Sequence, residues 1–190
     1  MKEFFATTGV QRAMLLIDWG ERRIRLLENV PDNQAVIPVN RAMQVRGLRP
    51  HIMVAADDSD GMVVKHGAES DRFTQPEAAI RDCFDAFLDG LERFGSYLKT
   101  GLTDVASLRP YIGYWIDDIS EPTNSPDDAA WNAALLTYIS YYRFSGVTTL
   151  FKQFGKDITP GSELYHSFLT SMADQELAKA FANCVGVRYP

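Results

Sequence analysis

Residues 75–100 read QPEAAIRDCFDAFLDGLERFGSYLKT, and the fold turns on whether this stretch coils. Ile80, Cys83, Phe84, Phe87, Leu91, Phe94 and Leu98 recur every three or four residues, the apolar stripe of a helix with one face toward a core. Pro76 and Glu77 suit a first helical turn, where a missing amide costs nothing and a carboxylate meets the positive end of the helix dipole. Gly101 suits the left-handed position that closes such a helix. The spacing predicts one long helix over 75–100.

Downstream, the same period continues. Thr103 is expected to cap a helical stretch through Tyr111, Trp115 and Ile119, with its register disturbed by Pro110. At Ser125-Pro126-Asp127-Asp128 a capping serine, a first-turn proline and two acids agree, opening a helix through Trp131, Leu135, Tyr138, Tyr142, Leu150 and Phe151 that Gly155 ends. Thr159-Pro160 opens another through Leu164, Phe168 and Met172. Ser171 or Asp174 begins a last one through Leu177 and Phe181.

Upstream, Val10, Met14, Ile17, Ile24 and Leu27 fall on roughly one stripe, predicting a helix over 8–28, and a shorter pattern follows over 34–46, interrupted by Pro38 and stopped by Gly47. Residues 48–74 differ: proline, glycine and acids surround Ile52-Met53-Val54 and Met62-Val63-Val64. That segment reads as an irregular excursion or a small β-hairpin. The expected architecture is all-α, one domain of about six helices over residues 1–190, since no repeat of 20 to 50 residues and no linker divides the chain.

At 190 residues the chain is long enough to bury a core without disulfide or metal support, and 46% hydrophobic with 23% charged residues is ordinary for a globular domain. Its apolar runs are far shorter than a membrane span, and no basic region with an apolar signal core opens it. Cys83 and Cys184 lie far apart and form no CxxC pair, which suits reduced thiols and a cytoplasmic location. Charge is uneven. Residues 1–50 carry eight Lys/Arg against five Asp/Glu, residues 51–130 six against sixteen, and residues 131–190 five against four. So acidic a middle repels a phosphate backbone, and nucleic acid is not an expected partner.

The most motif-like stretch is ADDSDG at 56–61. Placed in a calcium-loop register with Gly61 at the sixth position, it leaves Ala56 at the first and Gly67 at the twelfth, so the strongest ligands are missing. Asp-Gly between two β-branched runs is a turn signal instead. If the hairpin forms, His51 and His66 approach Asp57, Asp58 and Asp60, the one polar cluster on which metal-assisted hydrolysis can be built. No metal or cofactor is otherwise expected. GxSxG, GxxxxGK[ST] and GxGxxG are all absent, and Cys83 lies on the apolar stripe, where burial quiets a thiol. The paired acids of Trp115-Ile116-Asp117-Asp118 read as a solvated helix end.

The segment FDAFLDGLERFGSYLKTGLTDVASLRPYIGYWIDDI (84–119), continued by YISYYRFSGVTTLFKQFG (138–155), resembles a family of uncharacterised bacterial helical proteins. In that family a helix ends in a basic-glycine-leucine-x-aspartate step and a tyrosine/arginine-rich helix follows later. The matching residues are Lys99, Gly101, Leu102, Asp104, Trp115, Tyr142, Arg143 and Phe151, within residues 80–155. Several members carry an N-terminal membrane segment, which this chain lacks. The resemblance implies an all-helical fold and no catalytic residue, with Arg143 as a bridge to Asp85, Asp89 or Asp117.

The expected function is therefore a non-enzymatic interaction or regulatory module that binds a protein partner or itself through Trp19, Arg22, Trp131, Tyr141 and Arg143, since aromatics and arginine enrich interfaces. A ligand-binding or metal-assisted hydrolytic domain using His51, Asp58, Asp60 and His66 is the alternative from another class. An antiphage or toxin-type effector is a third.

Overall fold

The computed structural model describes residues 2–28, 30–56 and 73–190. In chain order these form α1 (Lys2–Ala6), α2 (Thr8–Asp18), β1 (Glu21–Arg25), α3 (Asp32–Ala35), β2 (Val36–Asn40), α4 (Arg41–Leu48) and α5 (His51–Ala56). Then follow α6 (Gln75–Lys99), α7 (Val105–Ile119), α8 (Pro126–Tyr141), α9 (Ser145–Gln153), α10 (Glu163–Ser171) and α11 (Gln175–Cys184). Among the described residues the fold is all-α with one small antiparallel hairpin.

The stretch 75–100 coils as its periodicity requires. Thr74 and Glu77 form a reciprocal capping box at its start, and Gly101 closes it at φ 72°. Ile80, Cys83, Phe84, Phe87, Leu91 and Phe94 are all buried, against α2, α4 and α9. The second central helix, α8, has apolar residues around most of its circumference, and is accordingly enclosed by α4, α9, α10 and α11. Between these helices Phe84, Trp131, Leu135, Phe151, Tyr165, Phe168 and Phe181 make one continuous core. α6 and α9 cross where Gly95 meets Gly146 backbone to backbone. Across that crossing the Glu92 carboxylate accepts from the amides of Gly146 (2.8 Å) and Val147 (2.9 Å), the exposed donors of the first turn of α9.

Several expectations are corrected. The hairpin pairs Glu21–Arg25 with Val36–Asn40, inside segments whose sequence suggested helix, whereas Ile52, Met53 and Val54, expected in an irregular excursion or a small β-hairpin, lie in α5. The helix expected over 8–28 is α2, which stops at Asp18, where its last carbonyls are satisfied from elsewhere: the Arg41 guanidinium donates to Leu16 O (2.8 Å) and Ile17 O (3.1 Å) while pairing with Asp128 (2.8 Å) and stacking on Trp131. Pro38 sits opposite Arg23 in a two-stranded sheet, where every strand is an edge and a missing amide is tolerated. Asp104 rather than Thr103 caps α7, which runs unbroken through Pro110, and Ser162 rather than Thr159 caps α10. The long helix expected over 125–154 is two helices, broken at Tyr142–Phe144 by a turn centred on Arg143 at φ 60°. No described helix is long and apolar enough to cross a membrane.

Candidate functional site

Of the polar cluster read around ADDSDG, only His51 lies among the described residues; Asp57, Asp58, Asp60 and His66 fall outside them. Among the described residues no group of three or more His, Cys, Asp or Glu side chains is placed to hold a metal ion. His51 instead opens α5 against a network centred on Arg81 of α6. The Arg81 Nη1 donates to Gly47 O (3.1 Å) and Arg49 O (3.0 Å), which caps the C-terminus of α4, and Nη2 donates to the Tyr142 hydroxyl (3.0 Å). That hydroxyl also accepts from the His51 amide (3.3 Å), so its own proton goes to His51 Nδ1, which contacts it closely. The guanidinium lies over the rings of Phe73, Tyr138 and Tyr142, 4.6 to 5.3 Å from their centroids. Each terminal nitrogen of Arg81 is thus engaged, and its charge joins α4, α6 and α8.

One helical turn along, the Tyr138 hydroxyl donates to Asp85 (2.5 Å). Burial pushes the Asp85 carboxyl above its ordinary 3.8, against the Tyr138 hydrogen bond and the Arg81 charge that pull it down. A carboxyl that holds its proton more tightly when folded than when unfolded withdraws stability as the pH rises through its raised value. Asp85→Asn removes that titration and keeps an oxygen for Tyr138. The variant is expected to match wild type near pH 3 and to gain on it as the pH rises toward neutrality, read as the difference in Tm at each pH. A difference that shrinks with rising pH would reverse the assignment. On the opposite side of α6, burial drives the Cys83 thiol up to about 11, leaving it a packed, unreactive group as its place on the stripe suggests.

The interface residues expected from sequence divide. Trp131 is 1% exposed and serves the core, stacked under Arg41; its aromatic area is spent inside the bundle. Tyr141 and Arg143 line a cleft between α8, α9 and the end of α11. Arg143 bridges none of the acids expected for it: Asp85 takes the Tyr138 hydroxyl, and Asp117 pairs with Lys156 (3.1 Å). Trp19 and Arg22 do lie together at the surface, the guanidinium 5.0 Å from the indole.

Beside Trp19 at the end of α2, Asp18 connects to a second exposed surface, on α7. α7 buries Leu108, Ile112, Ile116 and Ile119 and turns Tyr111, Tyr114, Trp115 and Asp118 the other way, one stripe at spacings of three and four. Tyr111 is 51% exposed, Tyr114 62% and Trp19 53%. Asp18 joins the end of α2 to this stripe by accepting the Trp115 indole N–H (3.1 Å), and its charge, more than burial or Asp118, raises the Tyr114 hydroxyl. The Asp118 carboxyl is raised too, first by burial and then by Asp18, Glu121 and Asp128 close by, with Arg41 opposing. The face is aromatic, half-exposed and edged with carboxylates. The helix through Tyr111 and Trp115 was expected from sequence, but the register disturbance expected at Pro110 obscured that Tyr111, Tyr114 and Trp115 share one face of it.

Comparison with protein-family models, with curated proteins and with solved structures finds no match to this chain.

Proposed function

We propose that this protein is a non-enzymatic interaction module that docks a basic protein segment on the aromatic face formed by Trp19, Tyr111, Tyr114 and Trp115. The observation that carries the reading is the outward row on α7: Tyr111 and Tyr114, both more than half exposed, with the partly buried Trp115 beside Tyr114, at helical spacing on a helix whose other face is committed to the core. Carboxylates of Asp18, Asp118 and Glu121 around those rings favour a partner that brings lysine or arginine, because a cation there gains both ion pairing and stacking on the ring faces. The same charge opposes a second copy of this face. Free thiols at Cys83 and Cys184 suit action in a reducing compartment such as the cytoplasm, and the family resemblance, which implies no catalytic residue, agrees with binding as the activity.

Selection of displayed peptides on the purified chain tests this. Bound peptides are expected to be enriched in Arg and Lys next to aromatic or aliphatic residues, and to bind at least tenfold more weakly when Tyr111 and Tyr114 are both replaced by serine, with the melting curve little changed because both rings are surface groups. Raising salt is expected to weaken binding further. Acidic peptides as the winners, or an unaltered affinity in the double variant, would remove the proposal. Recovery of peptides copied from this chain would point to self-association instead.

A further inference from the structure

We infer that the cleft closed by Arg143 is a binding site for a carboxylate carried on an apolar body. The cleft has a volume of about 580 Å³, within the range of small-molecule sites, and Ile139, Phe144 and Val185 give it an apolar lining. Ser140, Tyr141 and Arg143 line it as well.

The reason to assign the arginine a task is where the backbone holds it. Four helices here end in the same pair of hydrogen bonds, six-to-one and five-to-two, around a residue of positive φ. After α6 the pair is Leu102 N to Tyr97 O and Gly101 N to Leu98 O; after α9, Lys156 N to Phe151 O and Gly155 N to Lys152 O; after α11, Val187 N to Ala182 O and Gly186 N to Asn183 O. After α8 it is Phe144 N to Ile139 O and Arg143 N to Ser140 O. The central residue is Gly101, Gly155 and Gly186 in three cases, at φ 71° to 80°, and Arg143 at φ 60° in the fourth. Glycine is the residue this position favours, since a side chain crowds the following carbonyl there. A long cation occupies it instead, exposed, with no carboxylate or carbonyl acceptor among the described residues. The neighbouring hydroxyls of Ser145 and Thr148 are turned to Glu92 and Phe144 O, whereas those of Ser140 and Tyr141 have no partner among the described residues and remain to join the guanidinium. Glu92, which meets the Ser145 hydroxyl, is held by the amides of α9. A planar fork of donors over an apolar hollow matches a single carboxylate with a hydrocarbon tail or ring behind it. Such a group is found in a free fatty or aromatic acid and at the C-terminus of a peptide.

Calorimetric titration with octanoate, and with an acetylated tripeptide ending in phenylalanine, separates these sources, with octan-1-ol and the amidated tripeptide as uncharged partners. One carboxylate of the two is expected to bind at least tenfold more tightly than its uncharged counterpart. Arg143→Gly is expected to lose that binding at least tenfold while melting about 2–4 °C higher, because glycine relieves the backbone. Arg143→Lys, which keeps charge without the fork, should fall between. If neither carboxylate binds at millimolar concentration, if Arg143→Gly binds as wild type does, or if it melts lower and so marks the arginine as structural, the site is refuted.

Discussion

Replacing Gly95 by alanine is expected to destabilise the protein by about 3 kcal/mol, the upper part of the range for overpacking a well-packed contact. A Cβ at Gly95 would lie 2.1 Å from the Gly146 carbonyl oxygen and 2.6 Å from its carbon, and both atoms are backbone with no rotamer to move into. The two helices would have to part, and the amides of α9 would leave the Glu92 carboxylate with them. Helix propensity argues the opposite sign, since alanine in the interior of a helix is favoured over glycine by about 1 kcal/mol. The experiment therefore decides between local preference and packing. A Tm lowered by roughly 6–12 °C is expected. Gly20→Ala, where the added carbon meets only the Arg41 side chain at 3.6 Å, should melt near wild type. An alanine at 95 that raises the Tm would contradict the crossing.

The second large effect is expected at Arg81. Changing it to methionine keeps an unbranched apolar stem and removes the donor shared by Gly47 O, Arg49 O and the Tyr142 hydroxyl. Arg81 is only 8% exposed, so water does not readily replace it. Three charge-assisted bonds in a buried setting put the loss at about 4 kcal/mol, a large part of a typical domain's stability. Amide exchange in the last turn of α4 should accelerate more than in α10, which is remote from the network. Arg81→Lys should recover only part of the loss, because an ammonium cannot reach two carbonyls and a hydroxyl with the geometry of the fork. Equal melting of the methionine variant and wild type would show that the network contributes nothing.

Some of this was legible and some was not, for physical reasons. The stripe from Ile80 to Phe94 is a local pattern, so its helix and the face it buries follow from spacing alone. Ser125 and Asp174 announce their helices because a cap is also local. The break after Tyr141 is not marked by glycine or proline; an arginine holds a conformation that glycine would normally signal. The hairpin was missed because Ile17, Ile24 and Leu27 share a helical period by coincidence, and because the group that ends α2 is Arg41, supplied from the start of another helix. His51 was picked out as a polar residue with a task, but its partners Arg81 and Tyr142 lie 30 and 91 positions away, beyond what spacing reports. Nothing in the local spacing singles out Arg81, whose acceptors Gly47 O, Arg49 O and the Tyr142 hydroxyl lie 34, 32 and 61 positions away. The acidic character of the middle of the chain, by contrast, was plain in composition, and part of it now edges the aromatic face through Asp118 and Glu121.

Docking at that face is the claim from which the rest of the functional account follows. Its most direct measurement is an amide chemical-shift map of the ¹⁵N-labelled chain on addition of a selected Arg/Lys-rich peptide. The expected result is a cluster of perturbed amides at the end of α2 and along α7, around Asp18, Trp19, Tyr111, Tyr114 and Asp118, which disappears in the Tyr111→Ser, Tyr114→Ser variant. Perturbations concentrated on α9 to α11 with α7 silent, or the same map in the variant, would contradict it.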